Sequence, residues 1–174
     1  IDCLKNALKI DPKNLRILNS IGVNLLEIGH AKVALEYFNQ CIKIDKTNAI
    51  LYNNAGLAAY KMNSFNESID YFNLCIKNAP AAGYFYSNRG LSFQALKNLN
   101  LAMEDFNKCI SLDPEYAESY WNKSLLHLFQ GNYKNGWELY EYRWQSFAKE
   151  WVRDYPNKLW LGNDSLKGKI IFIY

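Results

Sequence analysis

No stretch of this sequence is long and apolar enough to span a membrane, and nothing at its start reads as a secretory signal. Charge of one sign is also missing. Twenty Lys and Arg face 17 Asp and Glu, a formal +3 that is scattered along the chain, where a nucleic-acid binder carries a basic stripe. Only two histidines occur and neither joins a ligand pattern; no two cysteines stand at C-x-x-C spacing. There is no phosphate loop and no Ser/His/Asp grouping, so neither a metal, a cofactor nor catalysis is expected of this segment. Glu138 and Glu141 come nearest to a carboxylate pair, but they lie one helical turn apart, as on an ordinary solvated helix face. An initiator Met is absent too: the chain opens at Ile1 in mid-pattern and reads as a fragment.

What the sequence does have is apolar material and a period. It is 49% hydrophobic and 16% aromatic over 174 residues, enough to bury a sizeable core. Leu15–Asn48 lies over 49–82 and over 83–116 without a gap, a period of 34 residues. Gly22 meets Gly56 and Gly90, Ala34 meets Ser68 and Ala102, Phe38 meets Phe72 and Phe106, and Cys41 meets Cys75 and Cys109. Pro12, Pro80 and Pro114 punctuate the ends of the units.

These residues together resemble the tetratricopeptide repeat, a helix–turn–helix unit, over Ile1 to about Trp144. The resemblance implies an all-α fold, a right-handed superhelical solenoid of antiparallel helix pairs in which each pair leaves an apolar face for its neighbour to cover. Residues 1–14 are then the second helix of a partial repeat, and 15–48, 49–82 and 83–116 are complete repeats. Residues 117–153 form a degenerate repeat. Within the first full unit a helix is expected over about 15–28, a turn at Gly29-His30, and a return helix over about 31–44. Gly22 lets the two helices approach and Phe38 packs into the crossing; burying such a side chain contributes about 1.5–3 kcal/mol.

The cysteines fall where the repeat family usually has a small residue. Equivalent helices of neighbouring repeats lie about 8–10 Å apart, whereas a disulfide needs Cα atoms within about 7 Å. Cys41, Cys75 and Cys109 are therefore read as small buried hydrophobes, which points to a reducing compartment, most simply the cytoplasm.

Two positions depart from the pattern: Arg89 and Lys123 stand just before the glycine position, where an apolar residue is usual. Either their stems snorkel to an edge of the groove or a carboxylate pairs with them; the first is the simpler expectation. In the last unit Ser124 replaces the glycine, Gly136 the alanine, Tyr140 the phenylalanine and Arg143 the cysteine. His127, among leucines, is expected to be a core residue. Trp137, Tyr140, Trp144, Phe147 and Trp151 then form one stripe of a helix running on to about Arg153, a cap and domain-docking face. Residues 154–174 read as a linker followed by a β-strand, Lys169–Tyr174, of a truncated α/β domain.

The first helices line the concave face in this family. Asn54, Asn88 and Asn122 recur there at the repeat period. An amide offers one acceptor and two donors, so it can hold both polar groups of an extended peptide backbone. This is similar to the asparagine ladder of O-linked N-acetylglucosamine transferases. Asn19, Asn53, Tyr60, Tyr84, Gln94 and Trp121 are expected on the same face, giving a peptide-binding groove. A clamp for an acidic peptide would need several cations, and chiefly Arg16 and Lys61 are available. Asn39, Asn73 and Asn107 recur too, on the second helices, so repeat copying in an asparagine-rich chain accounts for both series equally well. On the groove reading, replacing Asn54, Asn88 and Asn122 by Ala weakens peptide capture and leaves the melting temperature almost unchanged.

The tail carries a second resemblance. The run Gly136-Trp137-Glu138-Leu139-Tyr140-Glu141-Tyr142-Arg143-Trp144, then Leu159-Trp160-Leu161-Gly162 and Leu166-Lys167-Gly168-Lys169, is similar to the junction in bacterial repeat–glycosyltransferase fusions. This implies an acceptor-docking arm for a downstream transferase, with no catalytic residue in the segment itself. The alternative is a free-standing adaptor. Either way the partners are proteins or peptide segments, not nucleic acid or membrane; self-association is left open.

Overall fold

The structure is a computed structural model and describes residues 2–146. The described residues are all helical. α1 (Asp2–Ile10) precedes three full pairs: α2 (Leu15–Glu27) with α3 (Ala31–Ile44), α4 (Ala49–Lys61) with α5 (Phe65–Asn78), and α6 (Gly83–Ala95) with α7 (Leu99–Leu112). A last pair, α8 (Ala117–Phe129) and α9 (Tyr133–Tyr140), is followed by the single turn of α10 (Arg143–Ser146). The helix boundaries of the three full repeats match the 34-residue register.

The turn within each pair is the same turn four times. Its second-last residue is left-handed, at Gly29 (φ 88°), Asn63 (60°), Lys97 (63°) and Gly131 (78°). Glycine takes this conformation freely and asparagine tolerates it; lysine at Lys97 does so against its preference. The loops between repeats are pinned from the next first helix: the Tyr52 hydroxyl donates to the Lys46 carbonyl (3.0 Å) and the Tyr86 hydroxyl to the Pro80 carbonyl (3.2 Å).

Each pair closes through a hole on the first helix and a knob on the second. A Cβ on Gly22 would stand 2.5 Å from Phe38 Cε1, and at Gly56 and Gly90 2.7 Å from Cε1 of Phe72 and Phe106. The three phenylalanines are fully buried, as are Cys41, Cys75 and Cys109. The Cys41 and Cys75 thiols point at the Leu15 and Ala49 carbonyls at 3.8 and 3.4 Å. In the last pair the geometry is reversed. Ser124 fills the first helix and is fully buried, while Gly136 on the second helix becomes the hole; a Cβ there would stand 2.6 Å from Leu128 Cδ2. The drift of this unit is thus a compensated exchange of small and large residues, which keeps core volume nearly constant.

The expected uninterrupted helix beyond Tyr133 is corrected by the structure. α9 ends at Tyr140 and the chain turns at Glu141-Tyr142 before α10. Tyr142 turns back to stack on Tyr120, with ring centroids 4.2 Å apart and planes at 10°. The Arg143 guanidinium meanwhile donates to the Tyr140 carbonyl (3.0 Å) and to Glu141 (2.8 Å), competing with the helical ladder. The expected continuation to Arg153, the linker and the strand lie outside the described residues, as do Phe147 and Trp151. Among the described residues no helix is long and apolar enough to cross a membrane.

Candidate functional site

First helices of successive repeats touch one another directly: α2 meets α4, α4 meets α6 and α6 meets α8. Second helices do not approach each other as closely, so the array curves with α2, α4, α6 and α8 on its inner side. Side-chain reach tells the same story. On the inner side two short amides suffice to cross a seam; on the outer side a tyrosine is needed, the Tyr71 hydroxyl donating to Asn39 Oδ1 at 2.9 Å.

The inner crossings use the recurring asparagines themselves. Asn54 Nδ2 donates to Asn19 Oδ1 at 2.9 Å, and Asn88 Nδ2 donates to Asn53 Oδ1 at 2.8 Å. The residues one period on are Asn122 and Ser87, both buried. Each of these amides therefore holds adjacent repeats together, leaving on Asn54 and Asn88 one N–H and the carbonyl oxygen for anything that enters the groove. Two expectations drawn from the residues alone change as a result: Asn53 and Asn122 are too buried to offer much surface, and removing the ladder also removes bonds that support the fold.

The other expected groove residues are half-buried and divide by environment. Tyr60 lies edge-on to Phe65 at 5.5 Å. Tyr84 tilts against Phe85 at 4.2 Å and packs on the core that holds Phe72; burial first, and then nearby Cys75, push its hydroxyl above the ordinary tyrosine range. Gln94 has its Oε1 buried without a hydrogen-bond partner, an acceptor whose dry placement costs free energy until something donates to it. Trp121 is half-buried on α8.

Arg89 does not snorkel. Its Nε and Nη2 donate to the two carboxylate oxygens of Asp105 at 2.8 and 2.7 Å, and its Nη1 donates to Asn73 Oδ1 at 2.7 Å. The guanidinium also lies over the rings of Tyr86 and Phe93 at 5.7 and 5.6 Å. The bond to Asp105 raises its already high pKa further. Lys123 follows the same plan one repeat later, donating to Asn107 Oδ1 at 2.8 Å. The outer asparagine series thus has a physical role: Asn39, Asn73 and Asn107 each accept a bond from the next repeat, from Tyr71, Arg89 and Lys123 in turn. A buried hydroxyl pair, Ser68 with Ser92 at 3.0 Å, joins α5 to α6 as well.

Sequence reasoning missed these networks because their partners are 16 or more residues apart and carry no local signature. With Arg89 and Lys123 engaged, Arg16 and Lys61 are the exposed cations of the inner helices. Among the described residues no group of His, Cys, Asp and Glu is placed to hold a metal. His127 is half-buried, and burial with nearby Lys123 lowers its pKa, as expected of a helix-packing residue.

On the last pair, Trp137 is 59% exposed and Trp144 37% exposed. Trp137 meets Tyr140 edge-on at 5.4 Å, and the Arg143 guanidinium lies over both Tyr140 (4.5 Å) and Trp144 (4.4 Å). The three aromatics are thus brought together around Arg143, although not on one continuous helix.

The tetratricopeptide repeat matches residues 15–48, 49–81 and 83–116. The chain belongs to the tetratricopeptide repeat family, whose helical arrays are protein-interaction modules. Solved structures share its fold. Those of similar shape include MamA (23% identity, TM-score 0.70, covering 84% of this chain and 86% of that one). Pseudomonas aeruginosa pilF is another (22%, 0.71, 82% and 65%). The first repeat domain of Spaghetti (RPAP3), solved bound to the HSP90 peptide SRMEEVD, is a third (21%, 0.64, 70% and 96%). No curated protein matches the sequence.

Proposed function

We propose that the inner face of this array holds an extended polypeptide segment, with the amides of Asn54 and Asn88 engaging its backbone and Tyr60, Tyr84, Gln94 and Trp121 framing it. The observation that carries this reading is the pair of cross-repeat amide bonds, which fix the orientation of Asn54 and Asn88 while leaving each a donor and an acceptor. An amide already locked in place loses little rotamer freedom on binding. Arg16 and Lys61 alone do not make a clamp for an acidic peptide such as the SRMEEVD bound by the Spaghetti domain, so the preferred segment is uncharged or aromatic. The buried thiols suit a reducing compartment, most simply the cytoplasm.

Two biological settings fit. The Trp/Tyr-rich run 136–144 and the segment 159–169 support a docking arm that presents protein acceptors to a downstream glycosyltransferase. A free-standing adaptor accounts for the array equally well. Sugar-nucleotide turnover by the longer natural product, with this chain as control, separates the two.

The groove itself is tested by selecting dodecapeptides from a displayed random library on the full chain. Binding of the selected peptides is then measured to Asn88→Asp and to Lys32→Glu on the outer helix α3. We expect Asn88→Asp to weaken binding about tenfold, the equivalent of about 1.4 kcal/mol. Lys32→Glu is expected to leave binding intact, and SRMEEVD to bind neither. Selected peptides indifferent to Asn88→Asp would place the site elsewhere.

A further inference from the structure

Every second helix but the last is covered by the first helix that follows it: α3 by α4, α5 by α6 and α7 by α8. The covered face is built from two recurring positions seven residues apart. The first is Leu35, Ile69 and Met103; the second is Ile42, Ile76 and Ile110. Leu35 is buried in one cluster with Ala55 and Ala58 of α4, and Ile42 packs against clusters that contain Leu51 and Tyr52 of α4. Ile76 packs on the cluster holding Phe85 of α6, and Met103 on that holding Leu126 of α8. One repeat further on, the same two positions are Trp137 and Trp144. Among the described residues no first helix covers them. Trp137 stays exposed on α9 between Tyr133, one turn before it and 64% exposed, and Tyr140, one turn after it.

We propose that this face of α9 and α10 receives an amphipathic α-helix from a partner protein, seated as α4 sits on α3. The continuity of the seam says what fits: a helix with apolar or small side chains repeating at three- and four-residue intervals, as Leu51, Tyr52, Ala55 and Ala58 do on α4. A second copy of the array does not supply one from its opposite end, since the first described helix there, α1, is a second-type helix. The segment that follows Pro156 does not supply one either. Gly162, Asn163, Asp164 and Gly168 interrupt it, and its isoleucine-rich run prefers extended structure. The enlargement from Leu, Ile and Met to tryptophan is what a docking surface shows, because tryptophan anchors carry a disproportionate share of interface energy.

The test uses the full chain and helix-stapled peptides with the sequences of residues 49–61 and 83–95. These contain no tryptophan, so the chain's own fluorescence reports binding. At least one peptide is expected to bind saturably. Trp137→Asp, at an exposed position that the fold does not need, is expected to weaken that binding tenfold or more. Leu74→Asp, an equal change on the outer surface of α5 where the side chain is 39% exposed, is expected to leave it unchanged. Absence of saturable binding overturns the proposal, as does equal loss in both variants. Complete protection of Trp137 from a soluble quencher in the free chain also overturns it, since the face would then be covered in cis.

Discussion

The three core cysteines are the simplest residues to interrogate. Burial pushes the Cys41 thiol up to about 11 and Cys75 up to about 12, and raises Cys109 as well; Cys3 is exposed. A thiol-directed reagent at pH 8 should therefore label Cys3 within minutes and the other three only on unfolding, as peptide mass mapping would show. The same shifts set a direction with pH. The native thiols keep their protons where those of the unfolded chain, with an ordinary value of 9.0, begin to lose them. Stability is then undiminished below pH 9 and falls as the pH rises from 9 towards 11–12. Denaturant titration at pH 8 and pH 10 should show the lower midpoint at pH 10. The sequence already showed the environment of these residues, because three cysteines in identical repeat positions share one site. It did not show that of Arg89, whose partner Asp105 is sixteen residues away on another helix and marked by no spacing rule.

At the level of the element, the turn inside each pair is where sequence and conformation disagree most. The left-handed position is glycine at Gly29 and Gly131, asparagine at Asn63, and lysine at Lys97. Lys97→Gly should raise stability by about 1 kcal/mol, since the backbone penalty of a Cβ in this conformation exceeds the extra chain entropy of glycine. Lys97→Val should lower it; calorimetry of the two variants gives opposite shifts of the transition if the turn is as described. The helix pairs themselves were legible because Gly22, Gly56 and Gly90 and their phenylalanine partners encode the crossing directly. The break at Glu141-Tyr142 was not. Neither proline nor glycine stands there, and the aromatic spacing reads straight through it. Only the ring of Tyr120, a full helix away, explains why Tyr142 leaves the helical path.

For the molecule as a whole, the inner amide pairs connect fold and function. Asn54→Ala with Asn88→Ala removes two bonds that cross repeats, at about 1 kcal/mol each. The double variant should melt measurably earlier and also bind peptide more weakly. The order of effects tells the two roles apart: Asn19→Ala with Asn53→Ala breaks the same bonds while keeping the amides of Asn54 and Asn88. It should match the loss in stability and retain more of the binding. Sequence periodicity located the asparagines but not their mutual engagement, which depends on how closely α2, α4 and α6 approach in three dimensions.

The unequal reach of the inner and outer links also has a mechanical side. A curved array straightens only if its inner edge lengthens, and here that edge is tied by short side chains with no slack. Asn54–Asn19 and Asn88–Asn53 act as inextensible ties on a spring whose outer edge, bridged by the longer arms of Tyr71 and Arg89, has more compliance. The array should therefore resist opening more than it resists tightening. In solution, small-angle scattering of the double alanine variant should report a more extended particle than the parent chain.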